Sequence, residues 1–277
     1  NNIDRSEIDL LVFISQTPDY RMPATSITLQ HRLGLPNSCI AFDISLGCSA
    51  FIYGLSVVYS MMQGGQIRKA LLLDGETRSK VYSPKDRRSA FIFGDGGIAA
   101  LIEKDAKYEN SFFSLNSDGS RANLIMVKGG GYRHPSSEET IKEKVVDEYG
   151  NIRSDEQGYM NGGDVFNFVI REIPKDIKNT IDLANKTVDD FDFFVFHQAN
   201  NFINSYIAKK MKLPEFKLVH TIEKFGNTSS VSVPLTIVSE LKNELVGKIK
   251  AGDKVIFPFG KGNNIKHAIV SECKIVK

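Results

Sequence analysis

Three polar residues stand where apolar runs end: Cys48, His197 and Asn227. A thiol, an imidazole and a carboxamide supply the parts for acyl chemistry. The thiol can act as nucleophile, and the other two can offer N–H groups to a carbonyl oxygen that becomes negative. Cys48 has the most informative surroundings. The apolar run that includes Phe42, Ile44 and Leu46 ends at Gly47, and an apolar-periodic run begins after Ser49. That spacing predicts strand, tight turn and helix, with the thiol at the turn. A helix N-terminus presents free N–H groups and the positive end of its dipole, which favour a thiolate there. His197 opens His197-Gln198-Ala199-Asn200 after another apolar run, and Asn227 lies in Gly226-Asn227-Thr228-Ser229. Each alone has an ordinary explanation: a small buried thiol, a core histidine, a turn asparagine.

The elements that must hold these groups can be read in order. Residues 8–15 form an apolar run expected as a strand buried on both faces. A loop with Pro18 and Pro23 leads to a helix over 26–33, capped by Thr25 and stopped by Gly34 and Pro36. Residues 39–45 read as a second buried strand. The helix over 49–62 is apolar nearly all round (Ala50, Phe51, Ile52, Leu55, Val57, Val58, Met61, Met62), which makes it a central, buried helix. A strand over 69–74 precedes the charged stretch 76–88, expected as a surface loop. After Gly94-Asp95-Gly96-Gly97 comes a strand over 98–102. No helix with a GK[ST] ending follows these glycines, so they read as structural support and not as a phosphate loop. Strands alternating with helices give an α/β protein with layered elements.

From 107 to 161 charge rises and glycine clusters, as in a hairpin plus a surface connection. A helix over 163–184 follows, with a kink or break expected at Pro174. Then come a strand over 191–196, a helix over 203–211, a short strand over 217–219, a polar loop over 223–230 and an amphipathic helix over 231–241 with Pro234 in its first turn. Strands over 254–259 and 265–273 surround the turn Gly260-Lys261-Gly262. The expected organisation is an N-terminal half, 1–104, carrying the thiol, a connecting segment, 105–162, and a C-terminal half, 163–277, carrying His197 and Asn227.

Composition excludes several classes. The chain has 277 residues, enough for one large domain or two halves, and 35 basic against 33 acidic residues. A net charge of +2 without an aromatic-interleaved basic stretch argues against a nucleic-acid partner. Cys39, Cys48 and Cys273 are odd in number and widely spaced, which speaks against a disulfide framework or a metal site. No secretory signal and no long apolar run occur, so the expectation is a cytoplasmic protein without membrane insertion. The first residue is Asn1, and an apolar strand begins within ten residues. That suggests a segment N-terminal to it has been left out.

Taken together, the motifs resemble the β-ketoacyl-acyl-carrier-protein synthase III family of the thiolase superfamily. The matches run in order: Thr17-Pro18-Asp19 after a strand; Ala41-Phe42-Asp43-Ile44 with Cys48-Ser49-Ala50-Phe51; Asp86-Arg87 before Phe93-Gly94-Asp95-Gly96; His197-Gln198-Ala199-Asn200; and Gly226-Asn227-Thr228-Ser229. The resemblance covers almost the whole chain. It implies a thiolase-like layered α-β-α-β-α fold built from two similar halves, with the family's first elements missing before Ile8.

It also implies an acyltransferase. Cys48 would accept the acyl group, and His197 and Asn227 would hold the carbonyl of a malonyl thioester through decarboxylation and condensation. The oxyanion at Cys48 would be held by its own N–H and by the turn at Gly260 and Lys261. Met22 would stand at the partner subunit's acyl pocket, Arg87 near the coenzyme A adenine and phosphate, and Phe202 at the carrier-protein docking surface. The substrates would be acyl-CoA and malonyl-acyl-carrier-protein thioesters, with no metal or redox cofactor, in a homodimer.

Lys261 stands where the family has a central glycine, Phe202 where an arginine is common, and Ala50 where glycine is commoner. Two further readings fit the same residues: acyl transfer from Cys48 to an alcohol or amine without decarboxylation, and a non-catalytic partner subunit of a ketosynthase. A papain-like Cys/His/Asn protease fits the residue types but not the strand-ending His197 or the Gly226-Asn227-Thr228-Ser229 context.

Overall fold

A computed structural model describes residues 3–104, 111–241, 254–256 and 265–272. The elements of the first part are β1 (Leu10–Ile14), α1 (Thr25–Arg32), β2 (Ile40–Ile44), α2 (Ala50–Gln63), β3 (Lys69–Glu76), β4 (Gly96–Glu103) and β5 (Phe112–Ser117). Short pieces follow: β6 (Ile125–Met126), α3 (Glu138–Ile141), β7 (Lys144–Val145), β8 (Ile152–Arg153) and β9 (Tyr159–Met160). The last part holds α4 (Gly162–Leu183), β10 (Phe193–Phe194), α5 (Asn201–Lys210), α6 (Ile222–Phe225), α7 (Ser232–Thr236), β11 (Lys254–Ile256) and β12 (Ile265–Glu272).

Two four-stranded sheets form the frame. The first has order β2-β1-β3-β4, with β1 parallel to β2 and β3, and β4 antiparallel to β3. The second has order β10-β11-β12-β5, with β10 parallel to β11 and the remaining pairs antiparallel.

Side-chain alternation along the strands shows how the layers stack. On β1, Leu10, Val12 and Ile14 join the core that contains Phe51, Ile52, Leu55, Val58 and Met62 of α2, whereas Leu11 points to the other face with Ile8, Leu35 and Cys39, under Leu29 of α1. On the second sheet, Phe193, Val195 and Val255 join the α2 core, whereas Phe194, Phe196 and Ile256 face Val165, Phe168, Ile173 and Ile177 of α4 and Ile203 and Ile207 of α5. The layers are therefore α1, first sheet, α2 with α7, second sheet, α4 with α5. The apolar wrap of α2 follows from its place between two sheets.

Several expectations need correction. The second strand is not buried on both faces: β2 is an edge of its sheet and Ile40 is 46% exposed. Thr25 does not cap α1 but lies inside it. The first N–H groups of that helix, on Thr25 and Ser26, donate instead to the Asp43 carboxylate of β2 at 2.8 Å each. A carboxylate from the neighbouring strand takes the role of a local cap. Pro174 does not break α4, which runs continuously from Gly162 to Leu183. Residues 217–219 form no strand of their own; a 3-10 turn, Glu215–Lys217, precedes a single bridge from Leu218 to Phe194. Phe112–Ser117, expected in the connecting segment, completes the second sheet beside β12.

The charged stretch 76–88 is the largest departure, because much of it is interior. Glu76, Arg78, Tyr82, Ser83 and Asp86 are all buried. Its charges pair within the fold: Asp86 accepts from Arg153 at 3.0 Å, and Arg78 lies 3.8 Å from Glu76. In the polar stretch 223–230 the first three residues are exposed, whereas Asn227, Thr228, Ser229 and Ser230 are fully buried.

Candidate active site

Cys48 directly precedes Ser49, the N-cap of α2, and is 5% exposed. The turn follows from Gly47, whose carbonyl accepts from Ala50 N–H at 2.8 Å as the helix begins. His197 sits where β10 has ended, and Asn200 caps the following helix α5 by accepting from Phe202 N–H at 2.8 Å. Asn227 lies between α6 and α7.

One segment, Gly226 to Ser232, ties the three together. The Ser229 hydroxyl donates toward Cys48 Sγ across 3.7 Å. Ser229 N–H donates to Asn227 Oδ1 at 3.0 Å, which fixes the carboxamide. Asn227 Nδ2 is buried and has no hydrogen-bond partner among the described residues. The Ser232 hydroxyl lies 2.6 Å from His197 Nδ1 and also accepts from Gln198 N–H at 3.3 Å. When the Ser232 hydroxyl gives its proton to Nδ1, a neutral imidazole carries its own proton on Nε2. Gln198 is itself held, donating to Phe196 O at 2.7 Å and accepting from Thr221 N–H at 2.8 Å.

This segment is clamped by the glycine loop beside it. Asn227 N–H donates to Ile92 O at 2.7 Å and Gly94 N–H to Asn227 O at 3.1 Å. The two backbones run so close that a Cβ on Gly94 would stand 2.1 Å from Phe225 O. Gly226 adopts φ +68°, and a Cβ there would stand 3.0 Å from Ile92 O. Ser229 holds φ +59°, a left-handed conformation that costs a non-glycine residue about 1–2 kcal/mol. The reading of Gly94-Asp95-Gly96 as support thus acquires a geometry. Asp95 adds to it by accepting from Ser79 N–H at 2.7 Å and from the Ser79 hydroxyl at 2.6 Å.

A charged cluster behind the thiol was not legible in the sequence. Asp74 and Glu76 at the end of β3 share a face with Arg78 just beyond it, and all three are buried. Arg78 Nη2 donates to Gln16 Oε1 at 2.9 Å and to Ser229 Oγ at 3.1 Å, so the Ser229 hydroxyl links the guanidinium to Cys48. Burial pushes the Asp74 carboxyl well above the ordinary carboxylate range, although the Ser230 hydroxyl donates to it at 2.7 Å. Burial also raises Glu76, against the opposing pull of Arg78. Burial likewise pushes Tyr82 up to about 12; its ring stacks on Phe93 at 4.0 Å between centroids. The one signal in the sequence was the period-2 spacing of 74, 76 and 78, which a surface reading of residues 76–88 concealed.

The remaining expected site residues lie apart from this centre or outside the described residues. Met22 is 76% exposed and Phe202 67% exposed, the latter stacked on Phe166. Arg87 is exposed, and its N–H donates to Asn151 Oδ1 at 2.9 Å. Gly260 and Lys261 of the last turn lie outside the described residues. No group of His, Cys, Asp and Glu among the described residues could hold a metal ion.

Comparison with known proteins places this geometry. The sequence model of 3-oxoacyl-[acyl-carrier-protein] synthase III matches residues 42–119, and that of its C-terminal part matches residues 181–271. The chain belongs to the 3-oxoacyl-[acyl-carrier-protein] synthase III family. It is 34% identical to the β-ketoacyl-[acyl-carrier-protein] synthase III of Aliarcobacter butzleri over 94% of this chain and 75% of that protein. A crystal structure of a 3-oxoacyl-(acyl-carrier-protein) synthase III superposes with a TM-score of 0.92 at 33% identity, covering 98% of this chain and 80% of the other. The corresponding synthase from Burkholderia xenovorans superposes at 0.85 with 37% identity, over 97% and 74%. The layers described above are the thiolase-like fold of synthase III, and this synthase III is an acyltransferase of the condensing kind.

Proposed function

We propose that Cys48 is the acyl-accepting nucleophile and that His197 and Asn227 are the donors that stabilise the condensing enolate. In the first step the Cys48 sulfur attacks the carbonyl carbon of an acyl-CoA, the thioester bond breaks and coenzyme A leaves as its thiol. In the second, the carboxylate of a malonyl thioester is lost as carbon dioxide, and its electron pair becomes a thioester enolate. Two N–H donors, His197 Nε2 and Asn227 Nδ2, lower the energy of that enolate oxygen. The enolate carbon then attacks the acyl carbon, and the Cys48 sulfur departs with the electrons of the broken thioester. Thioesters supply every electron and leaving group, so the scheme calls on no metal or redox cofactor.

The observation that carries this reading is the Gly226–Ser232 segment. It fixes Asn227 through Oδ1, leaves Nδ2 buried and unpartnered, touches Cys48 through Ser229 and His197 through Ser232. An unsatisfied buried amide costs roughly 1–3 kcal/mol, a cost recovered if a substrate carbonyl accepts from it. The turn at Gly260 and Lys261, with the N–H of Cys48, is proposed for the tetrahedral oxyanion.

Acyl-CoA and a malonyl group on acyl carrier protein are the proposed substrates, in the cytoplasm where such thioesters are made. Arg87 is proposed for coenzyme A phosphate and Phe202 for the carrier-protein surface. A homodimer is proposed from the exposed edge strand β2 and the exposed Met22; light scattering that gives a monomer counts against it.

The deciding test is intact-protein mass after incubation with a panel of acyl-CoAs. Wild type should gain the acyl mass and Cys48→Ala should not. An acyl adduct that persists in Cys48→Ala rejects the assignment.

A further inference from the structure

A polar chain runs from Cys48 through Ser229 and Arg78 to Gln16 and Glu76, and nothing in the condensation itself calls for a buried guanidinium there. An ion pair retained for the fold alone would close on itself. This one does not. Glu76 uses Oε1 to accept from Gln16 N–H at 3.2 Å and Oε2 to accept from the Thr17 hydroxyl at 3.3 Å. It stands 3.8 Å from Arg78 Nε, beyond hydrogen-bond distance. Arg78 Nε has no hydrogen-bond partner among the described residues, although the side chain is only 8% exposed. A guanidinium has five N–H donors, and the two bonds of Nη2, to Gln16 and Ser229, leave donors over. Burying such donors unused is costly, so an acceptor belongs with them.

The position of the guanidinium says where that acceptor arrives. Its Nη2 donates to the Ser229 hydroxyl at 3.1 Å, and that hydroxyl donates on to Cys48 Sγ across 3.7 Å, so one hydroxyl stands between the guanidinium and the sulfur. Arg78 and Gln16 are thus joined to the sulfur through Ser229, which puts them among the polar groups nearest to an acyl group carried on Cys48.

We propose that Arg78, with Gln16, selects the acyl donor: Cys48 is loaded with short acyl groups that carry a hydrogen-bond-accepting oxygen, a hydroxyl or a carboxylate, in preference to plain alkanoyl groups of the same length. The proposal rests on Cys48 being the acyl-accepting residue. A charge-assisted bond to such an oxygen is worth roughly tenfold or more in loading rate.

The test uses three four-carbon thioesters, succinyl-CoA, 3-hydroxybutyryl-CoA and butyryl-CoA, with loading of the wild-type chain followed by intact-protein mass. At least one oxygen-bearing donor should load about tenfold faster than butyryl-CoA. Faster succinyl loading identifies a carboxylate as the recognised group, and faster 3-hydroxybutyryl loading identifies a hydroxyl; both support the proposal. Butyryl-CoA loading as fast as, or faster than, both overturns it without recourse to any variant. In Arg78→Leu the ratio should fall to near one or invert, and an unchanged ratio in a folded Arg78→Leu overturns the role of Arg78. Should Arg78→Leu fail to fold, Arg78→Gln and Gln16→Leu are read by the same ratio. Loading that persists in Cys48→Ala, or no loading by any thioester, overturns instead the nucleophile assignment beneath the proposal.

Discussion

Removal of the Ser232 hydroxyl separates the two half-reactions. Ser232 is 1% exposed and His197 4% exposed, so water cannot replace what the hydroxyl supplies. Ser232→Ala leaves His197 Nδ1 without its 2.6 Å partner and Gln198 N–H without its 3.3 Å acceptor. A buried polar group left unpaired costs about 1–3 kcal/mol. If that cost falls on the imidazole's orientation and tautomer, condensation slows by roughly 5- to 150-fold. Cys48 is touched by Ser229, not by Ser232, so acyl loading should stay within about twofold of wild type. The assay follows carbon dioxide release from a malonyl thioester on enzyme already acylated, beside the loading rate by intact mass. Ser232→Thr, which keeps the hydroxyl, should recover most of the condensation rate. Wild-type condensation in Ser232→Ala, with only a lower melting temperature, would refute the positioning argument. Equal losses in both half-reactions would refute the claim that Ser232 acts through His197 alone.

Other predictions rest on single contacts. Gly94→Ala puts a Cβ 2.1 Å from the Phe225 carbonyl, so the backbone crossing beneath Asn227 must open; the expected loss is about 1–3 kcal/mol or more by chemical denaturation, with reduced condensation. Asp43→Ala removes both acceptors from the first turn of α1 and should cost about 1 kcal/mol; Asp43→Asn, which keeps one oxygen, should cost less. Tyr82 titrates at about 12 in the folded chain, against about 10 when unfolded. Its folded value is raised, so its contribution is whole below pH about 10 and is lost as pH rises toward 12, by about 3 kcal/mol over two units. Tyr82→Phe should lack that segment of the stability–pH curve, and an unchanged curve would contradict the burial of the phenol.

The fold was legible where one physical rule governs a segment. Residues 10–14 and 50–63 are buried from two sides, so continuous apolar runs named them directly. The three residues proposed for acyl chemistry stood out for a different reason: rigid elements end close to each of them, and their types make sense only together. The edge position of β2 was not legible, because whether a strand has one neighbour or two is set by other strands. The cap of α1 was missed for the same reason, since Asp43 lies 18 residues from Thr25. The joining of Phe112–Ser117 to β12 spans more than 140 residues of sequence, and no local pattern encodes such a pairing.

The burial of charge in residues 76–88 and of small polar side chains in residues 227–230 has a common cause that bears on function. Charge and small polar side chains ordinarily mark solvated surface, because burying them costs free energy unless partners meet them. Here the partners come from the other half of the chain: Ser230 donates to Asp74, Arg78 to Ser229, and Gly94 and Asn227 exchange backbone bonds through the same crossing. Neither segment could be buried without the other, and neither announces the other in sequence. Their meeting also explains why the polarity is tolerated in the middle layer, beside a helix as apolar as α2. The cost of gathering Arg78, Glu76, Asp74 and a left-handed Ser229 next to one thiol is met by the packing of two sheets around α2, and what it yields is a set of oriented donors at Cys48. Relieving that polarity should therefore stabilise the chain while it weakens its chemistry. Ser229→Gly relaxes a backbone penalty of about 1–2 kcal/mol but removes the hydroxyl between Arg78 and Cys48. A variant that melts no lower yet loads Cys48 more slowly is the expected result; one that loads at the wild-type rate would show that the hydroxyl between the guanidinium and the sulfur is incidental.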